Sequence, residues 1–179
     1  AHPGFSPLPG VKKELETIFA GEDEEGILEG PTSLDKSFDE RSLKLALLKR
    51  PSILHIASHF NLKPGREDES FLLMGDGSHL LLSEIRSKRA LSFKGIDLVT
   101  LSACQTALGG GDGSEIEGFG AAAQSNGAAS VMASLWPVAD DATPVLMRDF
   151  YHAMIDQGLT KAEALRVAQI SMLSGEKST

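Results

Sequence analysis

The stretch "DLVTLSACQT", residues 97–106, decides how this chain is interpreted, because an apolar and β-branched run leads directly into Cys104, the only cysteine. The run predicts a buried strand, since strands covered on both faces are continuously apolar rather than alternating. A lone cysteine near a strand end is often inert core, yet a thiolate in that position is also a nucleophile. The stretch by itself leaves both interpretations open.

Two further segments have the same character: "SILHIAS" (52–58) and "SVMASLW" (130–136). Segments with helical spacing or helix caps surround these strands: 11–20, 39–50, 115–127, 144–158 and 160–173. Alternating buried strands and helices predict an α/β sandwich of three layers, with a mainly parallel central sheet and helices on both faces. The stretch "SFLLMGDGSHLLLS" (70–83) adds a small β-hairpin around a glycine-rich turn.

Composition limits the function classes. A chain of 179 residues with 41% hydrophobic and 23% charged residues has the size and composition of one globular domain. The net charge of −8 disfavours a nucleic-acid surface, and no apolar run approaches the ~18 residues of a membrane span. We expect a cytoplasmic domain over residues 11–179, preceded by a proline- and glycine-rich lead-in over residues 1–10.

Polar residues follow each of the three predicted strands. His59 comes after the first strand, Cys104 after the second, and a loop with Asp140 and Asp141 after the third. Ligand sites of parallel sheets lie beyond the carboxyl ends of the strands, so we expect these residues on one rim. A histidine beside a cysteine lowers the pKa of the thiol and prepares it for covalent catalysis.

A metal site is not favoured. His55 and His59 form an H-x-x-x-H pair, but on a strand residues four apart are about 13 Å apart, too far for one zinc ion. The glycine run at 109–113 lacks the Gly-Lys-Ser/Thr ending of a phosphate loop. We therefore predict neither a metal nor a cofactor.

Four ordered motifs make the chain resemble the CHAT domain, a caspase-like family of the caspase and separase clan of cysteine peptidases. The motifs are "LHIASHF", "DLVTLSACQTALGG", "GAASVMASLWPVADDAT" and "FYHAMIDQGLTKAEALRVAQ". The resemblance covers residues from about 8 to 173 and implies a caspase-like α/β fold.

The resemblance also implies a catalytic dyad. His59 corresponds to the general base and Cys104 to the nucleophile of a cysteine endopeptidase, with backbone N–H groups of Phe60 and Cys104 around the oxyanion. The chain departs from the common pattern at Phe60, where glycine is usual. A side chain there restricts the backbone and raises a question about the oxyanion geometry.

The loop "WPVADDAT" resembles the separase stretch that contributes an acidic residue to the pocket for the P1 side chain. Asp140 and Asp141, with Trp136 as a wall, would then select arginine or lysine. Helix capping is the competing explanation for an aspartate at a helix start, and Asp141 has the position expected of a cap.

The family context predicts partners. CHAT domains are usually the C-terminal part of a longer protein whose tetratricopeptide-type repeats recruit substrates or regulators, so we expect a protein substrate and such an upstream region or regulatory partner, with no nucleic acid and no membrane. Two alternatives remain at this stage: a catalytically silent interaction domain on the same fold, and a small-molecule thiol hydrolase or acyltransferase.

Overall fold

The structure is a computed structural model that describes residues 4–19, 26–63, 65–102, 114–133 and 142–175. Contacts within the chain divide it into two units, one formed by residues 1–8 and 33–138 and the other by residues 9–32 and 139–179. The described helices are α1 (Gly10–Ile18), α2 (Glu40–Leu48), α3 (Leu82–Ser87), α4 (Ser114–Ser125), α5 (Thr143–Ile155) and α6 (Lys161–Ser174). The described strands are β1 (Ile53–Ala57), β2 (Phe60–Asn61), β3 (Phe71–Leu73), β4 (His79–Leu81), β5 (Leu98–Ser102) and β6 (Val131–Ala133).

The first unit contains a parallel sheet of three strands in the order β1, β5, β6. These strands are the three apolar runs of the sequence. The register pairs Ile53 with Leu98 and ends on β1 with the pair of Ala57 and Ser102. The α/β class and the parallel sheet are thus confirmed, and β5 lies between the other two strands.

One face of this sheet is apolar and enters the main core. Leu54 and Ile56 of β1 pack with neighbours from β5 and β6 in a cluster that also includes Phe60 and Phe119. Helix α4 packs against α3 and β6 in the same unit. The other face carries His55, Thr100 and Ser102, because residues alternate across a strand. On that face His55 and Ser102 are in hydrogen-bond contact, as described below.

The predicted hairpin is confirmed, with β3 and β4 antiparallel and a tight turn between them. Strand β2 joins them to form a second sheet in the order β2, β3, β4. Gly75 in the turn is required by space, since a Cβ there would lie 1.8 Å from the carbonyl oxygen of Asp35. The short strand β2 was not predicted, because two residues are too few to show a period.

The second unit consists of α1, α5 and α6, with α5 packed against both of the others. The last helix is capped as the sequence predicts: the backbone N–H of Glu163 donates to the Thr160 hydroxyl, and the Glu163 carboxylate accepts from the N–H of Thr160. At the start of α5, Ala142 precedes Thr143 and already has helical backbone angles, with φ −83° and ψ −32°, and the expected cap Asp141 lies outside the described residues. Pro144 is in the first turn, where a residue without an N–H is tolerated.

Within the ranges that the structure describes, no helix has both the length and the apolar character needed to cross a bilayer.

Candidate active site

The ends of β1 and β5 are next to each other in the sheet, and each is followed by a candidate residue at the same spacing. Ala57 pairs with Ser102, and His59 and Cys104 each come two residues after their member of that pair. His59 and Phe60 are described by the structure. Cys104 lies outside the described residues, and so do the three predicted pocket residues Trp136, Asp140 and Asp141.

His59 is buried, with only 4% of its surface exposed. Its Nε2 atom lies 2.8 Å from the carbonyl oxygen of Ser6. A carbonyl oxygen only accepts hydrogen bonds, so this contact assigns the proton of the neutral ring to Nε2. The other ring nitrogen, Nδ1, is buried and has no hydrogen-bond partner among the described residues. In this tautomer the lone pair of Nδ1 has no partner within the described ranges.

Aromatic rings hold the imidazole from the side. The ring of Phe5 lies 5.1 Å from that of His59 between centroids, and it meets Phe71 edge-on at 6.0 Å. His79 stacks flat on Phe71 with a centroid separation of 3.6 Å. The segment around Phe5 and Ser6 thus fixes both the face and one nitrogen of the imidazole.

The contacts of Phe5 and Ser6 with His59 were not predicted from the sequence. Residues 1–10 were predicted as a lead-in, and residues 4–9 indeed form no helix or strand. The carbonyl group of Ser6 is available from any residue type, so no motif could have indicated its role. Phe5 is the only aromatic residue in residues 1–10, and its apolar ring was the one available signal.

The structure accommodates Phe60 at the position where the family usually has glycine. It lies in β2, an extended conformation that any residue adopts, and its buried ring meets that of Phe119 edge-on at 5.4 Å. The N–H of Leu73 donates to the carbonyl oxygen of His59 at 2.9 Å, in register with the Phe60–Leu72 pair although His59 itself lies outside β2. Hydrogen-bonded and non-bonded pairs alternate, which directs the N–H of Phe60 away from β3. The side chain is core and does not distort the backbone.

His55 has a different environment from His59. It lies within β1, and its Nε2 atom is 3.3 Å from the hydroxyl oxygen of Ser102 on the neighbouring strand. The segment is a strand and not a helix, which removes the helical geometry that an H-x-x-x-H zinc site requires. No group of three or more histidine, cysteine, aspartate or glutamate residues is arranged for a metal ion in the described part of the chain.

A parallel sheet with a small antiparallel sheet at its edge, and a buried histidine where the first strand ends, define an α/β domain of the caspase-like class. The sequence model of the CHAT domain matches residues 2–179. This chain therefore belongs to the CHAT domain family. A comparison with curated proteins found no match.

Proposed function

We propose that this CHAT domain is a cysteine endopeptidase in which His59 is the general base and Cys104 is the nucleophile. The observation that carries the proposal is the imidazole of His59, with Nε2–H bonded to Ser6 and Nδ1 buried without a partner within the described ranges. Stability alone favours a partner for such an atom, because an unpartnered buried polar group is destabilising. A free lone pair is what a general base needs in order to accept a proton.

The strand topology supports Cys104 as the source of that proton. Neighbouring strands are about 4.8 Å apart, and β1 and β5 are neighbours whose last residues are register partners. The thiol is the only one in the chain, and a thiolate is a far better nucleophile than a thiol. A histidine at the adjacent strand end is the group that would generate it.

The reaction follows the usual course for a thiol peptidase. Nδ1 of His59 takes the proton of the Cys104 thiol, the sulfur bonds to the scissile carbonyl carbon, and the electron pair of that C=O bond moves to the oxygen. The N–H groups of Phe60 and Cys104 stabilise the resulting oxyanion. Protonated His59 then gives its proton to the leaving amine as the C–N bond breaks, and a water molecule that His59 deprotonates hydrolyses the thioester.

The proposed substrates carry arginine or lysine at P1. Asp140 and Asp141 follow β6 in the sequence, and two carboxylates in a partly desolvated pocket favour a bidentate guanidinium and repel an acidic side chain. Trp136 would form a wall of this pocket.

The biological context of the proposal is regulated proteolysis in the cytoplasm. The family resemblance supports a protein substrate and an upstream region of tetratricopeptide-type repeats, or a regulatory partner, that delivers it. The net charge of −8 supports a protein rather than a nucleic acid as the bound macromolecule.

A covalent probe tests the dyad directly. We expect a peptidyl-arginine acyloxymethyl ketone to add once to the wild-type protein in intact-mass measurements, and not to Cys104→Ala. Because the chain has one cysteine, the site of the adduct is unambiguous. If iodoacetamide modifies Cys104 while the peptidyl probe does not, with and without the upstream region, the domain is a silent interaction module and the proposal is wrong.

Fluorogenic peptides that differ only at P1 test the specificity. We expect arginine and lysine to be cleaved in preference to aspartate, and Asp140→Asn to reduce that preference more than Asp141→Asn. A preference for aspartate contradicts the acidic pocket. Hydrolysis of small thioesters without cleavage of any peptide would instead indicate a small-molecule hydrolase or acyltransferase.

A further inference from the structure

The chain changes sheets at Ser58 and His59. Strand β1 of the parallel sheet ends at Ala57, and β2 of the antiparallel sheet begins at Phe60. The two residues between the strands belong to neither sheet, although one of them is the proposed general base. Something other than a regular strand ladder must fix the backbone there.

Leu73 at the end of β3 supplies that support through both of its main-chain groups. Its N–H donates to the carbonyl oxygen of His59 at 2.9 Å. Its carbonyl oxygen accepts from the hydroxyl of Ser58 at 2.6 Å. In an antiparallel ladder the two residues of such a pair exchange two main-chain hydrogen bonds. Here the side chain of Ser58 provides a bond to the carbonyl group of Leu73.

These contacts are well protected. Leu73 is buried, with 4% of its surface exposed, whereas Ser58 is half-buried. A buried carbonyl group that loses its donor is destabilising, and a short bond to a buried acceptor is not readily replaced by water. The hydrogen bond of the Ser58 hydroxyl therefore holds the backbone immediately before His59 in place.

We propose that Ser58 is a positioning residue that sets the orientation of the His59 imidazole through Leu73. The inference rests on the proposed function, because it concerns the same general base. The Ser6 carbonyl holds Nε2 at one end of the side chain, and the bonds to Leu73 hold the backbone at the other end. With both ends fixed, Nδ1 keeps one direction.

Four variants separate the hydrogen bond of the Ser58 hydroxyl from the shape of the side chain and from a general loss of stability. Ser58→Ala removes the hydroxyl, while Ser58→Thr keeps it and Ser58→Val has the shape of threonine without it. Ser42→Ala is the matched control, since the Ser42 hydroxyl donates to the Asp39 carbonyl at 2.8 Å in the capping box of α2. That serine lies on a helix that carries no proposed site residue.

The first measurement is the cleavage of a P1-arginine peptide, with kcat and KM determined separately. We expect Ser58→Ala and Ser58→Val to lose roughly 10- to 100-fold in kcat with little change in KM, because a displaced base slows the chemistry and not the binding. Ser58→Thr and Ser42→Ala should keep kcat close to wild type. If Ser58→Ala keeps the wild-type kcat, or if Ser42→Ala loses as much, the inference is overturned.

The second measurement does not depend on turnover. In ¹⁵N-labelled Cys104→Ala protein, the ring nitrogens of His59 should report a single Nε2–H tautomer, and adding Ser58→Ala should give an averaged signal, which Ser58→Thr does not. An unchanged single tautomer in Ser58→Ala overturns the inference. A wild-type protein that neither cleaves peptides nor accepts the probe contradicts the proposed function instead, and the NMR comparison still decides the role of Ser58.

Discussion

Hydrogen bonds hold two regions of the first unit: the turn that carries His59, and a charged cluster of Glu40, Lys44, Glu84 and Lys88. The two regions use different chemical groups. The turn uses main-chain carbonyl and amide groups, a hydroxyl and a buried ring. The charged cluster uses long side chains that are about one-third exposed, from 32% for Glu84 to 39% for Lys88. The turn is built around the buried residues His59 and Leu73, whereas the charged cluster is in contact with solvent.

The charged cluster shows clear electrostatic coupling. Hydrogen bonds from Lys44 at 2.6 Å and Lys88 at 3.2 Å lower the pKa of Glu40, and a hydrogen bond from Lys88 at 2.6 Å lowers the pKa of Glu84. Hydrogen bonds to Glu84 and then Glu40 raise the pKa of Lys88. Such interactions at a partly exposed site contribute little to stability, because water and salt compete and long side chains lose entropy.

The two regions also differ in how many partners each group has. In the turn each contact has a single short-range partner, so losing one changes the direction of the imidazole. In the charged cluster Glu40 and Lys88 each have two partners, so losing one bond leaves another. Substitutions in the turn should therefore reduce catalysis or stability more than substitutions in the charged cluster.

The two dyad variants should have the largest effects, and His59→Ala should lower kcat/KM by about 10⁴-fold, or about 5.5 kcal/mol of transition-state stabilisation. Cys104→Ala should abolish cleavage altogether while leaving the thermal melt nearly unchanged. Peptide cleavage and differential scanning calorimetry measure the two quantities. If either variant keeps wild-type turnover, the dyad assignment is wrong.

Phe60→Ala should lower the free energy of unfolding by about 3–5 kcal/mol, because it empties a buried site next to Phe119. Phe60→Leu should lose much less stability and keep most of the activity, since only the N–H of residue 60 is proposed to act on the substrate. Urea unfolding and peptide cleavage distinguish the two variants. A stable Phe60→Leu protein without activity would show that the ring itself has a role in the reaction.

Phe5→Ala should reduce kcat about 10-fold, equivalent to about 1.4 kcal/mol, because it removes the ring that packs on His59 and Phe71. The stability should change less than in Phe60→Ala, since Phe5 is only half-buried. Steady-state kinetics with the P1-arginine peptide provide the measurement. Wild-type kcat in this variant would mean that the Ser6 carbonyl alone orients the imidazole.

Lys88→Met should lower the free energy of unfolding by less than about 1 kcal/mol, because both of its ion pairs are exposed to solvent. The catalytic parameters should not change, since the charged cluster shares no hydrogen bond with the turn in the described residues. Urea unfolding at neutral pH checks the first expectation. A fall of several kcal/mol in the free energy of unfolding would show that the charged cluster is a main source of stability in this unit.

The difference in the free energy of unfolding between wild type and Lys88→Met should decrease at both low and high pH. The lowered pKa values of Glu40 and Glu84 mean that their stabilisation is present above the ordinary value of 4.5 and is lost as the pH falls through the folded values. The raised pKa of Lys88 means that its stabilisation is present below 10.5 and is lost as the pH rises through the folded value. The stability difference between wild type and Lys88→Met should therefore be largest between these limits, and unfolding curves across pH test it.

The sequence predicted the elements that have strong local signals. The three buried strands, the hairpin and the capping box of Thr160 are confirmed, because apolar runs, turn glycines and caps act over a few residues. Asp141, the N-cap expected for α5, lies outside the described residues, so that assignment stays a prediction. His59 was correctly expected to follow β1, whereas the roles of Cys104 and the acidic loop stay predictions.

The α/β class, the parallel order of strand ends and the family follow from the sequence, because they depend on apolar periodicity and on ordered motifs. The contacts that hold His59 became visible in the folded structure and not before. The Ser6 carbonyl is 53 positions from His59 along the chain and Leu73 is 14 positions from it, and both contribute main-chain groups. Every residue type except proline carries the same main-chain donor and acceptor, so no sequence pattern marks such contacts. The fold alone brings them to the imidazole.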